Sequence, residues 1–462
     1  MSFSILFPLA FYLTSAVSPL QQKIQKILKP YGSQVGFSVR DSQGVELAEV
    51  NGELAMSPAS VAKLVSSACS LSSLGQNFQF ETEFGMTGSL QNGVLDGDLV
   101  IRGAGDPSYV IEDLKENLER LAVVYGIKEI RGKLIFDTSF FEKPELLISD
   151  DFNGDQDRSF RAKLTPLALN FNSFSIWAVA DGNKSKVEIL PKGVWDPKII
   201  NQVKVARDTS LSISIDFAEE KIRVSGTISS DGNPKVLYRA LPDPYAAFAR
   251  LFKRVWLEQG GIAKFPAKDF QISTSPVRYK KLFSHTSRSI NRMFLDINKL
   301  STNFGAEMIL LTAGAKKFGA PATLQKSKKL LSSCLNDLKI SEEKIRLENA
   351  SGLSRTSKIH ASALSAFLTK VKNLEYAPEY LSSFSILGRD GTTKARLSSH
   401  AGRARLKTGT IQNVKSIAGY VFPSSLQPMS MVLFFNCPKC SQSDMLDAED
   451  DILRLLLESK EL

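Results

Sequence analysis

A long series of short strand-like runs separates two helix-rich parts of this 462-residue sequence. Between residues 78 and 239, runs such as GDLVIRG, GKLIFDT and KVEILP alternate with Gly, Asn and Asp turns. Helical periodicity precedes this stretch and returns from residue 244 onward. This order is typical of a domain that an insertion interrupts. We therefore expect an α/β sandwich domain formed by residues 17–77 and 240–462, with residues 78–239 as a β-rich insertion.

The N-terminus has the pattern of a secretory signal peptide. Residues 3–17 (FSILFPLAFYLTSAV) form an apolar run of the right length that ends in small residues, although Lys23 is the first basic residue. We expect residues 1–16 to be removed on export to the periplasm, where the mature protein could associate with the wall or the membrane. A buried N-terminal segment is the alternative. No other stretch approaches 18 uninterrupted apolar residues, so no integral membrane span is expected.

Histidine content and charge narrow the classes of function. The three histidines, His285, His360 and His400, form neither HExxH nor a Cys/His ligand spacing. A zinc hydrolase is therefore disfavoured, the three histidines are interpreted as non-catalytic, and a nucleophile here would need another base. The net charge of +10 favours polyanionic surroundings such as nucleic acid, anionic lipid or an acidic wall polymer. No nucleic-acid motif accompanies the charge, so we expect no nucleic-acid partner.

The four cysteines are too few for a disulfide scaffold. Cys437 and Cys440 follow a strand-like run, and in an exported protein a local disulfide there is favoured over a redox or metal site. Cys69 and Cys334 lie in helical patterns, and we expect them to be small core residues that do not form a bridge.

The segment Ser60-Val-Ala-Lys63 begins a predicted helix. The i, i+3 spacing places the hydroxyl and the amine on one helical face. A serine hydroxyl is a poor nucleophile until a base accepts its proton, and a lysine can serve when burial lowers its pKa toward neutrality. Alone, the motif has a simpler interpretation, in which Ser60 caps the helix.

Two further motifs lie in the C-terminal part of the chain. Ser301-Thr-Asn303 precedes the helical run FGAEMILL, where both residues could also be helix caps. Lys407-Thr-Gly409 lies in a strand, where the absence of a side chain at Gly409 would let a ligand lie against the strand edge. An ordinary hairpin turn is the alternative for this third motif.

In this order, with gaps of about 240 and about 105 residues, SxxK, SxN and KTG resemble the motifs of penicillin-recognising serine acyl-transferases. Other segments narrow the resemblance to the low-molecular-mass class C penicillin-binding proteins, the D-alanyl-D-alanine carboxypeptidase/endopeptidase family. These segments are GDL (residues 97–99), GAGDP (103–107), FDTSFF (136–141), SGLSR (351–355), DGT (390–392) and AGYV (418–421). The resemblance covers nearly all of the chain after the leader. One departure is Asn349-Ala350, where the family usually has Asp-Gly.

The resemblance implies a penicillin-binding transpeptidase-like (β-lactamase-like) α/β fold whose insertion covers the cleft. It also implies a catalytic set. Ser60 would attack a D-Ala carbonyl, and Lys63 would take the serine proton. Ser301, with Lys407 behind it, would pass a proton to the leaving amine, and Asn303 would bind the amide side of the substrate.

The resemblance further implies a substrate-binding edge. Lys407 and Thr408 would bind the negative end of the substrate, along a strand edge that includes Gly409 and Thr410. The backbone N–H groups of Ser60 and Thr410 would form the oxyanion hole. Asp155, in an acidic segment of the insertion, would meet the free ammonium of a diaminopimelate stem peptide; a solvated acidic loop is the alternative.

The expected reaction is hydrolysis of peptidoglycan stem peptides and cross-links through a serine acyl-enzyme. β-Lactams would act as acylating inhibitors, and neither a metal nor an organic cofactor is required. A β-lactamase is one alternative, although a small antibiotic does not need so large an insertion. A non-catalytic β-lactam or wall sensor is another, although a binder need not keep an acid–base set.

Overall fold

The computed structural model describes residues 18–148, 157–266, 269–424 and 427–459. The expected signal peptide and Asp155 lie outside the described residues. The described residues form ten α-helices: α1 (Pro19–Leu28), α2 (Ala62–Leu74), α3 (Ile111–Val123), α4 (Pro244–Glu258), α5 (Ile290–Lys299), α6 (Asn303–Phe318), α7 (Leu324–Asp337), α8 (Ala361–Val371), α9 (Ala377–Ser382) and α10 (Gln442–Glu458). Side-chain oxygens cap the N-termini of four of them, α1, α4, α7 and α10.

The strands of the described residues follow in chain order. They are β1 (Val35–Arg40), β2 (Glu46–Val50), β3 (Glu81–Met86), β4 (Ser89–Gln91), β5 (Val94–Asp96), β6 (Leu99–Arg102), β7 (Glu129–Ile130), β8 (Leu134–Asp137), β9 (Ser173–Asp181), β10 (Lys184–Leu190), β11 (Lys198–Ala206), β12 (Ser210–Asp216), β13 (Lys221–Ser229), β14 (Lys235–Ala240), β15 (Ile262–Ala263), β16 (Phe270–Ser273), β17 (Lys280–Thr286), β18 (Ile345–Arg346), β19 (Lys358–Ile359), β20 (Ser385–Ile386), β21 (Ala404–Ile411), β22 (Val414–Val421) and β23 (Met429–Asn436).

A six-stranded antiparallel sheet, in the order β2-β1-β23-β22-β21-β20, joins the two ends of the chain. Alternate residues of β23 face opposite sides. Met431 and Leu433 pack in the same core as α1 and α10, whereas Val432 and Phe434 pack in the core of α2, α6, α7 and α8. Because helices cover both faces, β23 is almost continuously apolar and does not alternate.

The described residues of the inserted part form four sheets. Their strand orders are β10-β9-β14, β11-β13-β12, β15-β7-β5-β4 and β16-β8-β6-β3-β17. Helix α4 and strands β15 to β17 follow residue 240, yet they pack with the insertion: β17 pairs with β3, β16 with β8, and α4 shares a core with α3. The chain therefore returns to the helices beside the central sheet only at α5.

Two disulfides are present. Cys437 and Cys440 are joined after β23, as expected. The expectation that Cys69 and Cys334 are unbridged core residues is wrong, because a disulfide joins them across α2 and α7, with 5.6 Å between their Cα atoms. Helical periodicity showed that each cysteine faces inward, but it carries no information about which two inward faces meet.

None of the helices in the described part of the chain combines the length and the apolar composition needed to cross a bilayer.

Candidate active site

Ser60 and Lys63 meet at the start of α2. Ser60 lies in a short 3₁₀ turn, Ala59–Val61, and Lys63 is the second residue of the helix. The amine nitrogen of Lys63 is 2.9 Å from the hydroxyl oxygen of Ser60. The N-cap residue of α2 is Val61, so Ser60 is not used as a cap and its hydroxyl remains available to Lys63.

Lys63 is completely buried and bound by oxygen atoms. Besides Ser60, its Nζ donates to Asn303 Oδ1 at 2.8 Å and to the carbonyl oxygen of Ser351 at 2.9 Å. Burial lowers the pKa of Lys63 from 10.5 to about 7, and the charge of Glu307 opposes this shift. Near neutral pH a large fraction of this amine is therefore unprotonated, and its lone pair can accept the proton of Ser60.

Lys407 stands behind Ser301. Its Nζ donates to Ser301 Oγ at 2.9 Å and to the carbonyl oxygen of Thr408 at 2.7 Å. Burial lowers the pKa of Lys407 well below its ordinary value, and the charge of Lys63 lowers it further. Ser301 has a left-handed backbone (φ 62°) just before α6, whose N-cap residue is Thr302. Like Ser60, Ser301 is not used as a helix cap.

The second half of β21 is a free edge beside Ser60 among the described strands, because β20 pairs only with its first half. A methyl group at Gly409 would lie 2.8 Å from the backbone nitrogen of Ser60, so only glycine lets the strand approach the hydroxyl this closely. Thr408 donates from its hydroxyl to Thr392 Oγ1 at 2.7 Å, and Thr410 is exposed. The edge can therefore pair with an extended peptide.

A cavity of about 360 Å³ opens at this edge. It is lined by Ser60, Phe160, Ser301, Asn303, Gly352, Leu353, Thr410, Ile411 and Gln412. Lys63 and Lys407 lie beneath it, and both are fully buried. A larger cavity of about 550 Å³ lies in the insertion between α3, α4 and β9, and none of the three motifs contributes to its described lining. The smaller cavity is the candidate active site because nucleophile, base and second hydroxyl meet there.

The sequence reasoning missed two parts of this site. Glu307 is buried on α6, one helical turn after Asn303. The carbonyl of Ser351, from the SGLSR segment, accepts a hydrogen bond from Lys63. A signal for Glu307 existed, since an acidic residue inside the apolar run FGAEMILL must be paired or hydrogen-bonded when buried. No sequence pattern indicates a backbone carbonyl ligand.

The outcomes for the remaining residues singled out in the sequence differ. Asp155 falls outside the described residues, so its expected position over the cleft is not described. Arg355 donates to Gln412 Oε1 at 3.2 Å, at the rim of the cavity. The three histidines lie away from the described lining: His285 packs edge-on against Tyr109, His360 faces Glu53, and His400 faces Glu458.

Comparisons of the sequence with known proteins give several matches. The model of the D-Ala-D-Ala carboxypeptidase 3 (S13) family matches residues 20–458. The chain is 27% identical over 449 residues to D-alanyl-D-alanine carboxypeptidase DacB of Haemophilus influenzae, covering 94% of this chain and 90% of that protein. It is 26% identical over 435 residues to the D-alanyl-D-alanine carboxypeptidase of Actinomadura sp. (strain R39), covering 88% of this chain and 79% of that protein.

A solved structure supports the fold. The crystal structure of penicillin binding protein 4 (dacB) from Haemophilus influenzae superposes with a TM-score of 0.78 at 23% identity, covering 94% of this chain and 99% of that one. The expected transpeptidase-like α/β fold with a large insertion is confirmed by this likeness.

Proposed function

The chain belongs to the D-Ala-D-Ala carboxypeptidase 3 (S13) family, and we propose that it hydrolyses D-Ala peptide bonds through an acyl-enzyme on Ser60. It is a low-molecular-mass class C penicillin-binding protein, as its motifs predicted, and a serine-type D-alanyl-D-alanine carboxypeptidase/endopeptidase. One observation carries the assignment of Ser60: the Lys63 amine, with its pKa lowered to about 7, lies 2.9 Å from the Ser60 hydroxyl.

Acylation begins with proton transfer from Ser60 Oγ to the neutral Nζ of Lys63. The serine oxygen attacks the carbonyl carbon of the penultimate D-Ala, and the carbonyl oxygen becomes an oxyanion. The N–H groups of Ser60 and Thr410 stabilise that charge, which develops fully only in the transition state. The close packing of Gly409 on the Ser60 turn supports this pair, because it brings the two backbone segments together.

Collapse of the tetrahedral intermediate needs a proton on the leaving amine. Ser301 is suited to give it, because Lys407 donates to the Ser301 hydroxyl and can replace the proton. The D-Ala amine then departs. Water attacks the ester carbon and gives its proton to Lys407 through Ser301, and Lys63 returns its proton to the departing Ser60 oxygen. A β-lactam follows the same first step, but its leaving nitrogen stays attached to the acyl group, so the ester persists.

The substrate is a peptidoglycan stem peptide or cross-link. The free edge of β21 is suited to an extended peptide, and Asn303 is suited to the substrate amide. The Thr408 hydroxyl is suited to a negative substrate terminus, with the amine of the buried Lys407 next to it. Removal of a terminal D-Ala and cleavage of a D-Ala–diaminopimelate cross-link share one acyl-enzyme. Asp155 is proposed to meet the diaminopimelate ammonium.

The proposed location is the periplasm, after removal of residues 1–16. The leader-like composition of this segment supports export. The net charge of +10 suits a protein that works beside an acidic wall polymer.

Mass spectrometry of the intact protein tests the proposal. Incubation with penicillin should add one penicilloyl group to the wild type and none to Ser60→Ala. Neither an adduct nor hydrolysed antibiotic would overturn the catalytic assignment and favour a binding domain. Rapid penicillin hydrolysis without a persistent adduct would instead indicate a β-lactamase.

A further inference from the structure

Glu307 is a fully buried carboxyl group that the acylation steps above do not use. Its two oxygens accept the backbone N–H groups of Ala350 and Ser351, at 3.0 Å and 2.8 Å. The Ser351 hydroxyl also interacts with it. A carboxyl whose two oxygens both accept N–H bonds is suited to the ionised form, since a protonated oxygen would have to donate instead.

Ser351 connects this carboxylate to the proposed base. Its N–H donates to Glu307, and its carbonyl oxygen accepts from Lys63 Nζ at 2.9 Å. Asn303, one helical turn before Glu307, accepts from the same amine at 2.8 Å. Helix α6 therefore holds Lys63 twice, directly through Asn303 and indirectly through Glu307 and Ser351.

The buried charges form a small set. The charge of Lys63, on α2, acts both on Glu307 and on Lys407 of β21. The 350–351 segment contributes two N–H donors and one hydroxyl, and no other ionisable group in the described residues is resolved as acting on Glu307. Burial lowers the pKa of both lysines and raises that of Glu307.

The requirement for a neutral interior relates the charges of Glu307, Lys63 and Lys407 to the acylation step. With Glu307 ionised, the buried set is neutral when the two lysines carry one positive charge between them. Burying net charge is costly, so this state is favoured. Acylation uses the form of this state in which Lys63 is neutral and the positive charge lies on Lys407.

We propose that Glu307 is a positioning residue whose negative charge sets the protonation of the Lys63–Lys407 pair and holds the 350–351 segment against Lys63. The inference rests on the proposed acyl-enzyme function. A residue with only a structural role would change the rate of acylation without changing its dependence on pH.

The test is the second-order rate constant for acylation by a chromogenic cephalosporin, measured against pH. Glu307→Gln removes the charge that raises the pKa of Lys63. We therefore expect the acidic limb of the profile to move to lower pH, by roughly one pH unit. Glu307→Asp keeps the charge, so its acidic limb should remain at the wild-type position even if the rate falls.

Glu449→Gln is the matched control. Glu449 is also a fully buried glutamate, but it lies on α10 and pairs with Arg396. The acidic limb of the Glu449→Gln profile should not move. An acidic limb of Glu307→Gln at the wild-type position would overturn the inference, while acylation of the wild type would leave the proposed function intact. An unacylated wild type would instead overturn the proposed function.

A measurement on the wild type keeps the inference testable if Glu307→Gln does not fold. Carbon-13 NMR of protein labelled at the glutamate carboxyl carbons, with the resonance assigned by its loss in Glu307→Asp, reports the charge of Glu307. We expect an ionised carboxylate throughout the pH range in which the enzyme is acylated. A protonated Glu307 in that range would overturn the inference.

Discussion

Two buried ionic clusters lie on opposite faces of the central sheet, and they differ in the groups that compensate the buried positive charge. Behind the sheet, Arg396 is bound by Glu449 at 2.9 Å and by Asp450 at 2.6 Å. On the cleft side, Lys63 and Lys407 are bound mainly by neutral oxygens of serine, asparagine and backbone groups.

This difference distinguishes a buried charge that stabilises the fold from a buried amine that can take part in catalysis. Arg396 remains charged and its partners compensate that charge. Lys63 lacks a direct carboxylate partner in the described residues, so burial lowers its pKa to about 7 and leaves it ready to accept a proton. A buried cation therefore indicates catalysis when its compensation is incomplete and a nucleophile lies beside it.

The largest expected effect comes from removing the proposed base. Lys63→Ala should lower the rate constant of penicillin acylation about 10³-fold or more, because Ser60 loses its proton acceptor. Glu449→Gln, which removes a buried charge on the opposite face, should keep that rate within about threefold of the wild type while thermal stability changes. The measurement is stopped-flow or quenched acylation, and a Lys63→Ala rate near the wild type would remove the distinction between the two clusters.

The reciprocal change acts on stability. Arg396→Met leaves Glu449 buried without its partner, so we expect a loss of about 3–5 kcal/mol in the free energy of unfolding. The pKa of Glu449, which burial already raises to about 7 against the attraction of Arg396, should rise further. Urea denaturation measures the loss, and acylation of the folded fraction at the wild-type rate is the control. A stable but unreactive Arg396→Met variant would contradict a structural role for this cluster.

The two disulfides give a comparison with a smaller effect. Cys69–Cys334, on the cleft side, closes a loop of 265 residues, whereas Cys437–Cys440 joins residues 3 apart. A long closed loop restricts the unfolded chain more, so replacing both Cys69 and Cys334 by Ala should cost about 2–5 kcal/mol. Replacing Cys437 and Cys440 should cost clearly less. Equal losses in parallel urea titrations would mean that loop length does not decide the contribution of either bridge.

The sequence predicted the architecture and the motif residues that meet at the cavity, because both depend on local patterns and on their order. It did not predict what depends on which surfaces meet. Periodicity marked Cys69 and Cys334 as inward-facing but could not pair them. Helix α4 follows residue 240, so the sequence places it in the split α/β domain. In the structure its apolar face packs with the insertion. Glu307 was overlooked because its partners are backbone N–H groups more than 40 positions away.

The dependence of wild-type acylation on pH tests the central claim, that Lys63 accepts the proton of Ser60 as a neutral amine. With a pKa of about 7, the neutral fraction of Lys63 falls tenfold for each pH unit below that value. The rate constant of penicillin acylation should therefore level off above about pH 7 and decline with unit slope below it. A rate that continues to rise with unit slope beyond about pH 9 would contradict the account, because Lys63 would then titrate near the ordinary value of an exposed lysine.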